Sequence, residues 1–136
     1  MTGARLRVIR PGDRVPDVAS GAMVREAAVS EVLVGARKLW VGSVELPAGA
    51  VSAPHHHGEA ESVIYVVSGH ARFLVGERYE EVHDADPGDF VWVPPFVPHI
   101  EANRSDSKPV HTVVCRSTQE TLVFNLGKEA SSVAER

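Results

Sequence analysis

The chain has 136 residues, a length that suits one domain and leaves little room for a second. Hydrophobic residues at 43% supply one real core, and charged residues at 24% are ordinary for a soluble protein. A formal net charge of −4 argues against a general attraction to nucleic acid or anionic lipid, and no apolar run approaches the roughly 20 residues needed to cross a bilayer.

The first residues, MTGARLRVIR, contain no apolar h-region, so they do not read as a signal peptide. Leu6 to Ile9 suits a short strand. Pro11 to Ala22 carries two prolines and two glycines and reads as loop. Val24 to Leu33 mixes helix-favouring alanine and glutamate with strand-favouring valine, and we read it as extended. From Lys38 onward the pattern is β. Leu39 to Leu46 is rich in valine and ends at Pro47-Ala48-Gly49. Val63 to Val67, the turn Ser68-Gly69-His70 and Ala71 to Val75 form a hairpin signal. Tyr79 to Val82 suits a further strand, and the cluster Asp84 to Asp89 is a turn. Phe90 to Val93 is a strand stopped by Pro94-Pro95. Val110 to Arg116 and Thr121 to Leu126 follow, separated by Ser117-Thr118-Gln119. Many short strands with frequent turns argue for a sandwich or a barrel, and a two-sheet jelly roll is one way to bury them. The lone Cys115 rules out an internal disulfide, and a reducing cytoplasm is the expected location.

Chemistry concentrates in Pro54-His55-His56-His57-Gly58-Glu59-Ala60-Glu61. Side chains alternate on a strand, so His55 and His57 share a face and form a ready metal clamp. His56 then points away, to solvent or an interface, unless the register slips by one. Gly58 lets the chain turn so that the Glu61 carboxylate can join, and His99 can supply a third imidazole from a later segment.

This stretch resembles the first motif of the cupin family: Gly, five residues, His-x-His, three or four residues, Glu, six residues, Gly. The matching residues are Gly49, His55, His57, Glu61 and Gly69. The second cupin motif is matched by Gly88, Pro94, His99 and Asn103. The resemblance covers Leu39 to Leu126 and implies an all-β, double-stranded β-helix or jelly-roll barrel (RmlC-like), often dimeric. It also implies one divalent ion bound by His55, His57, Glu61 and His99, with open positions for water, dioxygen or substrate. Residue types leave iron, manganese, zinc, nickel and copper open. Two departures stand out. Seven residues separate Glu61 from Gly69, so counting back from Gly69 puts Ser62 in the glutamate slot unless a bulge turns Glu61 inward. Phe96 replaces the usual glycine, which reshapes the loop beside His99 and offers an aromatic wall.

Glu101, two residues after His99, is a candidate catalytic residue, as a base or as an orienter of a ligand histidine; a surface role is the alternative. His111 and Cys115 line the cavity if their strand face is the interior one. His70 and His83 lie in turn regions and read as surface residues. The strand Phe90 to Val93 is apolar on both faces, which favours a homodimer.

We therefore expect an N-terminal extension over 1–37 packing on the barrel or a partner subunit, a barrel over 38–126 and a flexible tail over 127–136. The expected function is that of a metal-dependent enzyme, of oxidoreductase (dioxygenase) or isomerase type, on a small organic molecule. The alternative is a non-catalytic cupin that binds or senses a small ligand. No nucleic-acid or membrane partner is expected.

Overall fold

The computed structural model describes residues 5–17, 21–119 and 124–126. A 3₁₀ turn, Pro11–Asp13, precedes strands β1 (Val15–Pro16) and β2 (Val24–Val29), then a single helical turn, α1 (Glu31–Val34). The remaining strands are β3 (Trp40–Leu46), β4 (His55–His56), β5 (Ser62–Ser68), β6 (Ala71–Val75), β7 (Glu81–Ala85), β8 (Phe90–Val93), β9 (Ile100–Asn103), β10 (Val110–Arg116) and β11 (Phe124–Asn125). The fold is the all-β jelly roll that the sequence predicts.

Every pairing is antiparallel. A six-stranded sheet runs β1-β2-β3-β10-β5-β8, a three-stranded sheet runs β7-β6-β9, and β11 pairs with β4. Strict alternation along β3 sends Trp40, Gly42, Val44 and Leu46 inward, as expected where one face of a sheet covers a core. Neighbouring strands add Ile64, Val66, Val110 and Val114, and Phe73 comes from the opposing sheet, so the core lies between the two large sheets.

The β5–β6 turn needs glycine. Gly69 has φ +87°, and a Cβ there would lie 2.5 Å from the Pro109 carbonyl oxygen, a conformation and a clearance that only glycine meets.

Several sequence expectations are corrected. Residues 6–9 form no strand. The segment from Val24 is extended only to Val29, because Ser30 then caps α1 by accepting a hydrogen bond from Leu33 N, and Gly35 ends it in the left-handed region. Tyr79 lies in a turn with φ +56°, so the next strand starts at Glu81 and runs on into the predicted turn cluster as far as Ala85. His111 and Cys115 face outward and are exposed, while Val110, Thr112, Val114 and Arg116 point in; the alternation of β10 was right, but the interior takes its other face. Of the strand predicted over Thr121 to Leu126, residues 121–123 lie outside the described residues, as do the tail 127–136 and the first four residues.

Candidate metal centre

His55 and His99 are brought together by their own backbones. His55 N donates to His99 O at 3.0 Å, and His99 N donates to His55 O at 2.9 Å. This antiparallel bridge sets the two rings side by side, with centroids 4.3 Å apart. His57, two residues on from His55, lies 5.1 Å from the His55 ring and 5.3 Å from that of His99. All three are buried, and one nitrogen from each lies within 4.8 Å of the others. The structure thus gathers three of the four predicted ligands.

The ring orientations favour a metal. His55 Nδ1 sits 2.7 Å from the Ala53 carbonyl oxygen and His99 Nδ1 2.9 Å from that of Val97. A carbonyl only accepts, so Nδ1 carries the proton in both rings. Nε2 is left with a free lone pair, and both Nε2 atoms are buried with no protein partner. This is the arrangement by which a backbone carbonyl orients a ligating histidine. Burial, and next the neighbouring His99, lower the His55 pKa to about 4, so this ring is neutral near pH 7 and ready to donate its lone pair.

Glu61 is not brought into this group. It is exposed, and its Oε1 accepts a hydrogen bond from Trp92 Nε1 at 2.7 Å. Its backbone is held by Ser117, through Glu61 N to Ser117 Oγ and Ser117 N to Glu61 O, both 3.0 Å. The bulge that would have turned it inward does not form. Ser62 pairs in register with Val93 and Arg116, and the β5–β10 register shifts only at the far end, between His111 and Thr112. Ser62 therefore faces in beside Ile64 and Val66, buried, with Oγ lacking a partner.

Glu101 is buried rather than on the surface, and its Oε2 is likewise without a partner. Its backbone is tied to Ser52 by Ser52 N to Glu101 O at 2.7 Å and Glu101 N to Ser52 Oγ at 2.9 Å. Its charge acts on His55, opposing the fall of that ring's pKa.

His56 points away from the other imidazoles. Its ring stacks on Phe124 at 5.0 Å and lies 6.2 Å from Phe96. Phe96 is exposed with φ +60°, the left-handed conformation that the usual glycine would adopt freely. Its N donates to Gly58 O at 2.7 Å, which links the two motif loops.

Three features escaped sequence reasoning. Arg25 and Arg116 are buried beside Trp40, with their Cζ atoms 5.6 and 4.4 Å from its ring. Trp40 Nε1 donates to Asp17 Oδ2 at 3.0 Å. Burial, and then Arg25, lower the Arg116 pKa to about 10. Alternation along β10 was the available signal for Arg116, since it shares parity with Val110, Thr112 and Val114. The third feature is a cavity of about 490 Å³ between β7 and β8, the facing edges of the two large sheets. Phe73, Val91, Val93 and Val97 line it, and it reaches His99. His83 lies on β7 and contributes to its wall instead of occupying a turn.

A family model described as "Cupin domain" matches residues 42–116, more than half of the chain. The chain belongs to the cupin family. Solved structures agree on the fold. The cupin resembles the polyketide cyclase RemF from Streptomyces resistomycificus with a TM-score of 0.77 and 16% identity, over 97% of this chain and 94% of that one. It resembles KdgF from Halomonas sp. with a TM-score of 0.67 and 17% identity, over 85% of this chain and 96% of that one. It also resembles the oxalate decarboxylase OxdC of Bacillus subtilis, with a TM-score of 0.69 and 19% identity, over 85% of this chain but only 30% of that one. No curated protein matches the chain. Among the described residues, no helix is long and apolar enough to cross a membrane.

Proposed function

We propose that this cupin is a metal-dependent enzyme acting on a small organic molecule, with one divalent ion held by His55, His57 and His99. The observation that carries this reading is the pair of buried, partnerless Nε2 atoms on rings whose Nδ1 protons are fixed by backbone carbonyls. Three imidazoles with no carboxylate in the group suit zinc, iron(II), manganese, nickel or copper. A structural zinc site is normally closed by four protein ligands, so a three-histidine set leaves positions open for chemistry. When bound, the ion would supply Lewis-acid activation of a substrate oxygen, or a platform for dioxygen if it is iron.

The chain's own residues have definite tasks in this scheme. The Ala53 and Val97 carbonyls hold the ligand rings in one tautomer. The cavity between β7 and β8 admits the substrate past Phe73 and Val93. Glu101, buried with a free oxygen and two residues from His99, is placed to orient a ligand or to move a substrate proton. Ser62 Oγ offers a hydrogen bond from the opposite sheet. An oxidoreductase or isomerase reaction is the finer proposal. That RemF is a polyketide cyclase and OxdC an oxalate decarboxylase supports enzymatic use of this fold. A homodimer, supported by the exposed Phe90 and Trp92, and a cytoplasmic location, supported by the single cysteine, are part of the same proposal.

The test is turnover of candidate substrates, with dioxygen uptake followed in parallel, by untagged protein stripped of metal and then reloaded with each ion. Activity restored by one ion and abolished in Glu101→Gln supports the reading. Tight ligand binding without turnover by any reloaded form would assign the protein to the non-catalytic class instead.

A further inference from the structure

Among the described residues, seven buried side-chain nitrogen and oxygen atoms have no hydrogen-bond partner, and the two histidine Nε2 atoms account for only two of them. Three of the remaining five are guanidinium N–H groups: Arg25 Nε, Arg25 Nη1 and Arg116 Nη2. Arg25 is 4% exposed and Arg116 2%. Buried guanidinium groups are normally matched by acceptors, because an unmatched buried charge is costly. No ion pair among the described residues engages either arginine. The nearby carboxylates do not fill the gap. Asp17 Oδ2 accepts from Trp40 Nε1. The charges of Glu101 and Asp17 favour the Arg25 cation, yet Glu101 Oε2 and the three guanidinium N–H groups are left without hydrogen-bond partners.

These donors lie against one wall. The Trp40 ring rests over Gly42, where a Cβ would come within 2.4 Å of its Cη2. Arg116 stacks on that ring at 4.4 Å and Arg25 lies 5.6 Å from it. The sheet register ties this wall to the cavity: Arg116 pairs with Ser62 and Ser62 with Val93, all three buried side chains on the inner face, and Val93 lines the cavity together with His99.

We infer that the interior beside the histidines is a carboxylate-binding site, in which Arg25 and Arg116 hold the anionic end of a small apolar acid. A planar carboxylate matches the fixed fork of a guanidinium. The apolar walls at Phe73, Val91, Val93 and Val97 match a hydrocarbon body better than a sugar phosphate. The inference deepens the metal-enzyme reading and rests on it only for where the acid's reacting end lies; the anion site itself requires no ion.

The experiment uses Trp92→Phe, which leaves Trp40 as the only tryptophan. Metal-free and zinc-loaded protein are each titrated with benzoate, benzamide and inorganic phosphate while Trp40 emission is followed. Benzoate is expected to give a saturable change in both forms, and benzamide none in the same range. Phosphate should bind at least about tenfold more weakly, and Arg25→Met or Arg116→Met should each weaken benzoate by about tenfold or more while zinc stoichiometry is kept. Calorimetry of benzoate against benzamide on the unaltered protein gives the same comparison without relying on a variant. Equal response to benzoate and benzamide, preference for phosphate, or no binding of any probe would overturn the inference. Benzoate binding without zinc binding would sink the metal reading alone, and zinc binding without benzoate binding would sink the anion site alone.

Discussion

The Nδ1 atoms of His55 and His99 are committed to backbone carbonyls, so each ring has one nitrogen left with which to act. That limits the effect expected from their neighbours. Glu61 is engaged with Trp92 outside the group, so Glu61→Ala should leave the zinc dissociation constant within about threefold, whereas His57→Ala should raise it by about a hundredfold or more. A competition titration with a zinc-binding dye measures both; a large loss in Glu61→Ala would return that carboxylate to the ligand set. A second consequence concerns acid. In the metal-free protein the folded-state pKa of His55 is about 4, against 6.5 for the free side chain, chiefly through burial and then through His99. The unfolded chain therefore binds this proton first. Stability from this source is complete above pH 6.5 and is lost as pH falls towards 4, by an amount of order 3 kcal/mol. Urea midpoints between pH 7 and 4.5 should fall steeply for the metal-free protein and less so for His55→Gln; identical slopes would remove His55 as the cause.

Strand β9 shows what a short element owes to its partners. Its sequence, Ile-Glu-Ala-Asn, has little strand character, and no periodicity marked it. It is extended because β6 pairs with it from Ala71↔Asn103 to Leu74↔Ile100. The motif residue Asn103 then anchors the end of the strand. Its Nδ2 lies 3.2, 3.1 and 2.7 Å from the carbonyl oxygens of Leu46, Pro47 and Lys108, and its Oδ1 accepts from Ser105 N at 2.8 Å. Asn103→Ala should cost about 2–4 kcal/mol in a chemical-denaturation midpoint, since several buried backbone groups lose their partner together. A change below about 0.5 kcal/mol would mean that those carbonyls find other donors. The long valine-rich strands β3, β5 and β10 were legible because their period of two is repeated over seven residues. The choice between Glu61 and Ser62 was not, because motif spacing counted from either side gives a different answer. The register of β5 against β8 and β10 decides it, and register is a property of the sheet, not of the segment. Leu6 to Ile9 failed in the opposite sense: it has the pattern of a strand but pairs with no strand among the described residues.

At the scale of the molecule, the outer face of the six-stranded sheet carries Phe90 and Trp92, 73% and 61% exposed, with Tyr65 packed on Phe90 at 4.7 Å between ring centroids. Such a patch is costly to leave in water and is the surface on which we expect a second copy to sit. Light scattering should give twice the chain mass for the wild type and a monomer for Phe90→Glu; a wild-type monomer at high concentration would contradict this. The cavity between β7 and β8 reaches His99, one of the three buried histidines that form the proposed metal centre. Anomalous diffraction from crystals of untagged protein reconstituted with zinc tests that centre most directly. We predict one strong peak among the rings of His55, His57 and His99, with Glu61 still outside the group. Anomalous density confined to surface histidines such as His70 and His111, with none among the three buried rings, would contradict it.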